Sequence, residues 1–519
     1  MSEEQKRILQ QQLWAICNLL RGRISGDDYR DYILGFIFYK FLSERLYSIA
    51  QEALFEDGLD YALLDEDNEE HAEIIEAIRE EAIDTLGYHL MPGQLFMSIA
   101  ARIQDDANAF ILSDLQTVLS DIENSTRGHE SEADFIHLFE DLDLNSTKLG
   151  KTVEDRNKII KEILVRLDAI DFMIDDVEAD VLGDSYEYLI SNFASDAGKK
   201  AGEFYTPQRV SEILARAVSL GKDELKSVYD PTCGSGSLLL RVAKQVKKVG
   251  RFYGQEYNRT TFNLARMNMI LHGVHYKDFD IRQDDTLERP QHLEYRFEAI
   301  VANPPFSLDW SANPLFLSDD RFSAYGKLAP KTKADMAFIQ HMLFQLDENG
   351  TAAVVVPHGV LFRGSSEGHI RQHIIKEMNA LDAVIGLPSN LFFGTGIPAA
   401  ILVFRKCRED GEHVLFIDAS RDFASGKNQN TLRNQDVGKI IDTLEQRTVI
   451  DKYSYLATLE EIKENDYNLN IPRYVDTFEE EEEIDLIAVQ SERTAIEAEI
   501  AQLNEQMKGY LKELGYVAE

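Results

Sequence analysis

From about residue 200 onward the sequence alternates short β-rich runs with amphipathic stretches, and that alternation admits few folds. The runs cover residues 227–229, 251–254, 279–282, 299–301, 351–356, 383–387 and 399–404. They end in turns that contain Gly or Pro, and a helical pattern follows. Strands alternating with helices specify an α/β domain on a largely parallel sheet. Such sheets bind ligands outside the carboxyl ends of their strands, so the turns there are where chemistry is expected.

The flanks have a different texture. A chain of 519 residues is too long for one core, and two or three domains are expected. Residues 1–165 read as an all-helical domain, with apolar residues at helical spacing through Leu9, Leu13, Ile16 and Leu20 and then Tyr29, Ile33, Phe36, Ile37, Phe41 and Leu42. The apolar run 33–38 meets Lys40 and is far shorter than the ~20 residues of a membrane span, so it reads as a buried helix and no membrane partner is expected. The opening MSEEQKRILQQQ is not a secretory signal, and Cys17, Cys233 and Cys407 form no disulfide or zinc pattern, which fits a reducing cytoplasm. After Pro472 an acidic run, 479–483, precedes a long helix. Its Ile496, Ile500, Leu503, Met507, Tyr510 and Leu514 alternate in steps of four and three, the seam pattern of a coiled coil, with Arg493 as a flaw. A partner chain on that seam and a helix packed on its own domain are both open readings. The expected domains are 1–165, 166–475 and 476–519.

Four features in the central region occur in a telling order. The first is Asp230-Pro231-Thr232-Cys233-Gly234-Ser235-Gly236-Ser237, between a strand and a helix. Gly234 and Gly236 let the backbone turn sharply and approach a ligand, and Asp230 can accept from a cationic amine. No Gly-Lys-Ser/Thr follows, so it is not a phosphate loop. The second is Glu256, about twenty residues past the glycine turn, where nucleoside-binding folds place an acid on ribose hydroxyls. The third is Asp284, at the end of the next strand and able to meet an adenine amine, with Asp285 as the competing choice. The fourth is Asn303-Pro304-Pro305-Phe306, after an apolar strand. An exocyclic base amine is a poor nucleophile because its lone pair is delocalised into the ring. The Asn303 side-chain oxygen and the Pro304 carbonyl can accept its two hydrogens and aim the lone pair at a methyl donor. The prolines stiffen the loop, and Phe306 offers a face for a base rotated out of the duplex.

With these motifs the chain resembles, over nearly its full length, the modification subunit of type I restriction-modification systems, a gamma-class amino-methyltransferase. The resemblance implies a Rossmann-like S-adenosylmethionine-dependent methyltransferase domain between the helical domain and a C-terminal docking helix. Gly202-Glu203-Phe204-Tyr205-Thr206-Pro207, with Gln208, matches the family segment set against the methionine part of the cofactor. Asp230, Gly234, Ser235, Gly236 and Ser237 match its cofactor loop, Glu256 the ribose acid, and Asn303, Pro304, Pro305 and Phe306 the catalytic loop. The stretches 333–338, 357–362 and 387–393 also look like family segments, as do 13–18 and 467–474. On motif grounds adenine N6 and cytosine N4 are both open; the resemblance favours adenine.

The net charge of −37 opposes a DNA substrate, because phosphate contacts come from Lys and Arg. The resemblance offers a resolution: a separate specificity subunit reads the DNA, two copies of this chain clasp it, and ATP-driven translocation belongs to a restriction subunit. The rivals are a methyltransferase acting on protein glutamine or RNA, and a non-catalytic scaffold keeping a relic fold. No metal is expected. His272 and His275, like His369 and His373, share a helical face but lack a third ligand. Cys233 reads as packing.

Overall fold

The computed structural model describes residues 3–20, 26–106, 108–172, 181–196, 206–392, 396–409, 411–426, 429–477, 486–514 and 516. It divides into two compact units, Met1–Val475 and Asp476–Glu519.

The first unit begins helical, and its longest helix is Gly26–Ala53. Ile33, Phe36, Ile37, Phe38, Tyr39 and Leu42 on it are fully buried, so the apolar run is the middle of a core helix. Lys40 is buried with them, paired with Glu44 and 4.5 Å over the Phe172 ring. Burial lowers its pKa to about 8, opposed by the charges of Asp168 and Asp171. Local signals set the helix ends: the Asn68 side chain caps Glu69–Leu86, and Gly87, at φ 87°, closes it. Thr152 and Asp155 cap Val153–Asp168 reciprocally. The helical core runs on past residue 165, because Leu182, Tyr186, Leu189, Ile190 and Phe193 of helix Val181–Asp196 pack into it. Among the described residues no helix is long and apolar enough to cross a membrane.

Among the described residues nine strands follow: β1 Glu224–Asp230, β2 Lys248–Glu256, β3 Phe279–Gln283, β4 Phe297–Ala302, β5 Leu346–Pro357, β6 Leu381–Gly386, β7 Ala399–Arg405, β8 Val414–Asp418 and β9 Ser454–Ala457. They form one sheet in the order β3-β2-β1-β4-β5-β7-β6-β8-β9. β1 to β5 are parallel, β7 runs antiparallel between β5 and β6, and β9 is an antiparallel edge. All seven runs read from the sequence lie on β1 to β7. β8 and β9, five and four residues long, carry too little pattern to have been read.

Alternate residues of each strand enter opposite cores, as the two-residue period requires. Val228, Ala299 and Val301 pack with helices Gln208–Ser219 and Asn434–Gln446, whereas Tyr229 and Ile300 pack with helices Asp335–Gln345 and Ser365–Lys376. Helix Arg259–Leu271 serves two cores: Ala265 and Met269 face the sheet, while Met267 and Leu271 belong to the helical core. Its buried Arg266 donates to the carbonyls of Ala133 and Ile136, fixing the helical region to the sheet region.

The chain leaves β1 for β2 and β3 on one side, then returns to place β4 on the other. β1 and β4 are therefore neighbours at a topological switch point, with Tyr229 opposite Ile300. The loops leaving their carboxyl ends lie side by side, which is where open α/β sheets bind ligands.

The second unit is built on the helix Leu486–Glu513. Val489, Ile496, Ile500, Leu503, Met507 and Tyr510 on it are exposed, and Arg493 pairs with Glu497 one turn on.

Candidate active site

β1 delivers Asp230 to the end of the sheet at 0% exposure. Its Oδ1 accepts the backbone N–H of Thr232 at 2.9 Å, while its Oδ2 is buried with no hydrogen-bond partner among the described residues. Burial, reinforced by the nearby Glu256 charge, raises the Asp230 carboxyl to about 8. The turn beyond it needs glycine, because Gly234 and Gly236 lie at φ 54° and 77°. Asn268, from helix Arg259–Leu271, reaches under the turn and donates its side-chain N–H to the Ser235 carbonyl at 2.9 Å. The hydroxyls of Ser235 and Ser237 are 2.9 Å apart.

β2 brings Glu256 against the same turn. Its Oε2 accepts from Gly234 N at 3.0 Å and its Oε1 from Asn258 N at 2.8 Å, leaving lone pairs on both oxygens. Burial raises its pKa against these backbone hydrogen bonds. Cys233 is buried in the same turn, packed so closely against β2 that a Cβ on Gly254 would lie 3.0 Å from its sulfur. Burial first, and the charges of Glu256 and Asp230 after it, push its thiol far up, as suits a packing residue.

Of the two acids after β3, Asp285 closes the local turn, its Oδ1 accepting from Leu287 N and Glu288 N at 2.9 and 3.0 Å. Asp284 lies beside Glu256, its backbone N–H donating to the Glu256 carbonyl at 3.1 Å, and its Oδ1 holds Arg289 at 2.8 Å. The buried Gln255 spans this loop, donating to the Asp284 and Arg289 carbonyls at 3.1 and 3.0 Å.

β4 ends at Ala302, and Asn303 starts the neighbouring loop. The Asn303 Nδ2 donates to the Thr206 hydroxyl at 3.1 Å. Its Oδ1 is buried and has no partner among the described residues. A buried unpartnered acceptor costs about 1–3 kcal/mol, so two of them on adjacent loops, at Asp230 and Asn303, describe a site shaped for donors from outside the protein. Pro304 is buried and Pro305 half-buried. The half-buried Phe306 ring meets the Phe392 ring edge-on at 5.7 Å. Ser307, at φ 52°, leaves the loop with its N–H donated to Asp335 at 2.9 Å, and Arg363 holds the other oxygen of Asp335 at 3.2 Å.

The structure thus gathers Thr206, Asp230, Gly234, Ser235, Gly236, Ser237, Glu256, Asp284 and the 303–306 loop at one end of the sheet. Glu203, Phe204 and Tyr205 lie outside the described residues. Pro207 caps the helix that Gln208 begins, and both residues line a cavity of about 470 Å³ with Gln10, Glu187, Tyr188 and Leu391. Of the paired histidines, His275 accepts from Lys277 N and His369 hydrogen-bonds the Tyr325 carbonyl. Asn268 and Gln255 were not singled out from the sequence. The available sign was a polar residue on an otherwise apolar helix face or strand end.

Two family models match the chain: N-6 DNA Methylase over residues 177–483 and HsdM N-terminal domain over residues 9–167. A type I restriction enzyme MpnII methylase subunit from Mycoplasma pneumoniae is 39% identical over 503 residues, covering 93% of this chain and 92% of that protein. The HindI methylase subunit from Haemophilus influenzae is 34% identical, covering 65% of this chain and 79% of that one. The crystal structure of a type I restriction-modification system methyltransferase subunit from Streptococcus thermophilus is 42% identical with a TM-score of 0.84, covering 91% of this chain and 100% of that one.

Proposed function

The chain belongs to the N-6 DNA methylase family as a type I restriction-modification methylase subunit, and from that premise we propose that it transfers a methyl group from S-adenosylmethionine to N6 of adenine in DNA, with Asn303 presenting the amine. The observation that carries this reading is the Asn303 side chain: Nδ2 is tethered to Thr206, and Oδ1 is buried and unpartnered. An acceptor so placed takes a hydrogen of the base amine and draws the nitrogen lone pair out of conjugation. The Pro304 carbonyl is the second acceptor. Phe306, braced by Phe392, stacks on the rotated base.

The residues around β1 and β2 fit the cofactor. Asp230 Oδ2 suits its ammonium group, and the free lone pairs of Glu256 suit the ribose hydroxyls. Asp284 lies alongside, where the adenine amine would be met. S-adenosylmethionine supplies a methyl group activated on a sulfonium. The protein's part is orientation, because direct transfer from sulfur to nitrogen needs no enzyme nucleophile. The amine proton leaves to solvent after transfer.

Target choice and most of the grip on DNA are assigned to a separate specificity subunit. In a chain of net charge −37 the 54 Lys and Arg are outnumbered by 91 Asp and Glu, which repel phosphate, and the apolar seam of Leu486–Glu513 suits docking to that subunit or to a second copy. A restriction subunit completes the assembly, and DNA as substrate sets the work in the cytoplasm. Relatives that are restriction-enzyme methylase subunits count against the glutamine, RNA and scaffold readings. The test is transfer of labelled methyl to unmethylated DNA by this chain with its specificity subunit, followed by nucleoside analysis. Label in N6-methyladenine supports the reading; label in N4-methylcytosine, or none in DNA, overturns it.

A further inference from the structure

Between the catalytic loop and helix Asp335–Gln345 the chain carries Arg321, whose side chain is 2% exposed. A guanidinium is rarely buried so deeply, and here its donors are aimed at the cofactor side of the sheet. Nη1 donates to the Thr286 carbonyl at 3.1 Å and Nη2 to the Leu287 carbonyl at 2.9 Å. These carbonyls belong to the loop that leaves Asp284 and Asp285. The charge is balanced locally by Asp319, 2.8 Å from Nη2, and the group lies 4.8 Å over the Phe322 ring.

Two further hydrogen bonds extend the clamp. The buried Thr286 hydroxyl donates to the Pro231 carbonyl at 2.6 Å, joining this loop to the turn that follows Asp230. His341 Nδ1 lies 3.4 Å from Arg321 Nη1, and its Nε2 is 3.1 Å from the Tyr229 hydroxyl, one residue before Asp230. Burial, and then the Arg321 charge, keep His341 neutral. Nδ1 therefore accepts from arginine while Nε2–H donates to tyrosine. One cation thus fixes the loop after β3 directly, the glycine turn through Thr286, and the end of β1 through His341.

We propose that Arg321 is a positioning residue for the cofactor site, setting the spacing between the Asp284 loop and the Asp230–Gly236 turn and thereby the affinity for S-adenosylmethionine. The inference rests on the cofactor reading given above. A lysine in its place keeps the charge but cannot hold both carbonyls and His341 at once. The conservative Thr286→Val change removes only the link to Pro231.

The test measures S-adenosylmethionine dissociation constants by calorimetry at low temperature, and cofactor-free melting midpoints, for the full chain, Arg321→Lys, Thr286→Val and the double variant. The expected result is about tenfold weaker binding for Arg321→Lys and about threefold for Thr286→Val, with the double variant no weaker than Arg321→Lys alone. A lowered midpoint with unchanged affinity in both single variants would mean that Arg321 only stabilises the fold, and would overturn the proposal. If Arg321→Lys does not fold, Thr286→Val decides alone, and unchanged affinity there overturns it. Failure of the unaltered chain to bind S-adenosylmethionine would overturn the cofactor reading itself, and this inference with it.

Discussion

Thr206 accepts the Asn303 side-chain N–H at 3.1 Å, so the segment entering helix Gln208–Ser219 holds the residue that starts the 303–306 loop. The bond tethers the amide, with Oδ1 buried and without a partner among the described residues. Thr206→Val should therefore slow methyl transfer by roughly tenfold, the worth of about one hydrogen bond in orientation. Thr206→Ser should restore most of the rate. Single-turnover kinetics with the specificity subunit present would check both.

Asp230 makes cofactor binding depend on pH. Its carboxyl is raised to about 8 in the folded chain, against about 3.9 for a free Asp, so from pH 4 to 8 the folded state holds a proton that the unfolded state has lost. Its contribution to stability accordingly falls as pH rises through that window. An ammonium at Oδ2 favours the ionised form, so binding below pH 8 releases the proton. Between pH 5.5 and 7 the affinity for S-adenosylmethionine should rise with pH, by at most about tenfold per unit. In Asp230→Asn, binding should be weaker and the rise shallower. Calorimetric titrations across that range would show it, and equal slopes for the two proteins would contradict it.

Phe306 is braced by the edge of Phe392, and the stacking on a rotated base proposed for it would be worth about 1–3 kcal/mol. Phe306→Ala should lower kcat/KM for DNA by roughly tenfold to a hundredfold with cofactor affinity kept. Unchanged turnover would remove the stacking role.

We propose the specificity subunit as the partner that docks on the exposed seam of Leu486–Glu513. Leu503→Glu together with Met507→Glu should abolish co-purification with the specificity subunit and leave S-adenosylmethionine binding intact. Analytical ultracentrifugation of the mixed subunits would report it. An unaffected complex would return the helix to a different role.

The strands that carry the site were legible because their short runs rich in aromatic or β-branched residues alternate with amphipathic stretches. β1 to β7 were read this way, whereas β8 and β9 are too short for a period to declare itself. The first and fourth motifs were legible because each lies within a few consecutive residues. The polar scaffold beneath them was not. Asn268 reaches Ser235 and Arg321 reaches Thr286 across more than thirty residues of chain. Periodicity tells which face of an element is apolar, not which polar side chain crosses to a distant loop. The partners of Asp284 and Asp285 needed coordinates for the same reason, since only the fold shows Asp285 accepting from Leu287 and Glu288 and Asp284 holding Arg289 and Gln291.

The central claim is that Asn303 orients the base amine and does not hold the cofactor. It is tested most directly by Asn303→Ala in the complete complex, measuring single-turnover methyl transfer to adenine and the S-adenosylmethionine dissociation constant on one preparation. The account predicts a rate lower by roughly a hundredfold or more, as for other preorganised amide groups, with the dissociation constant within about threefold of the unaltered enzyme. Transfer at the unaltered rate would contradict it.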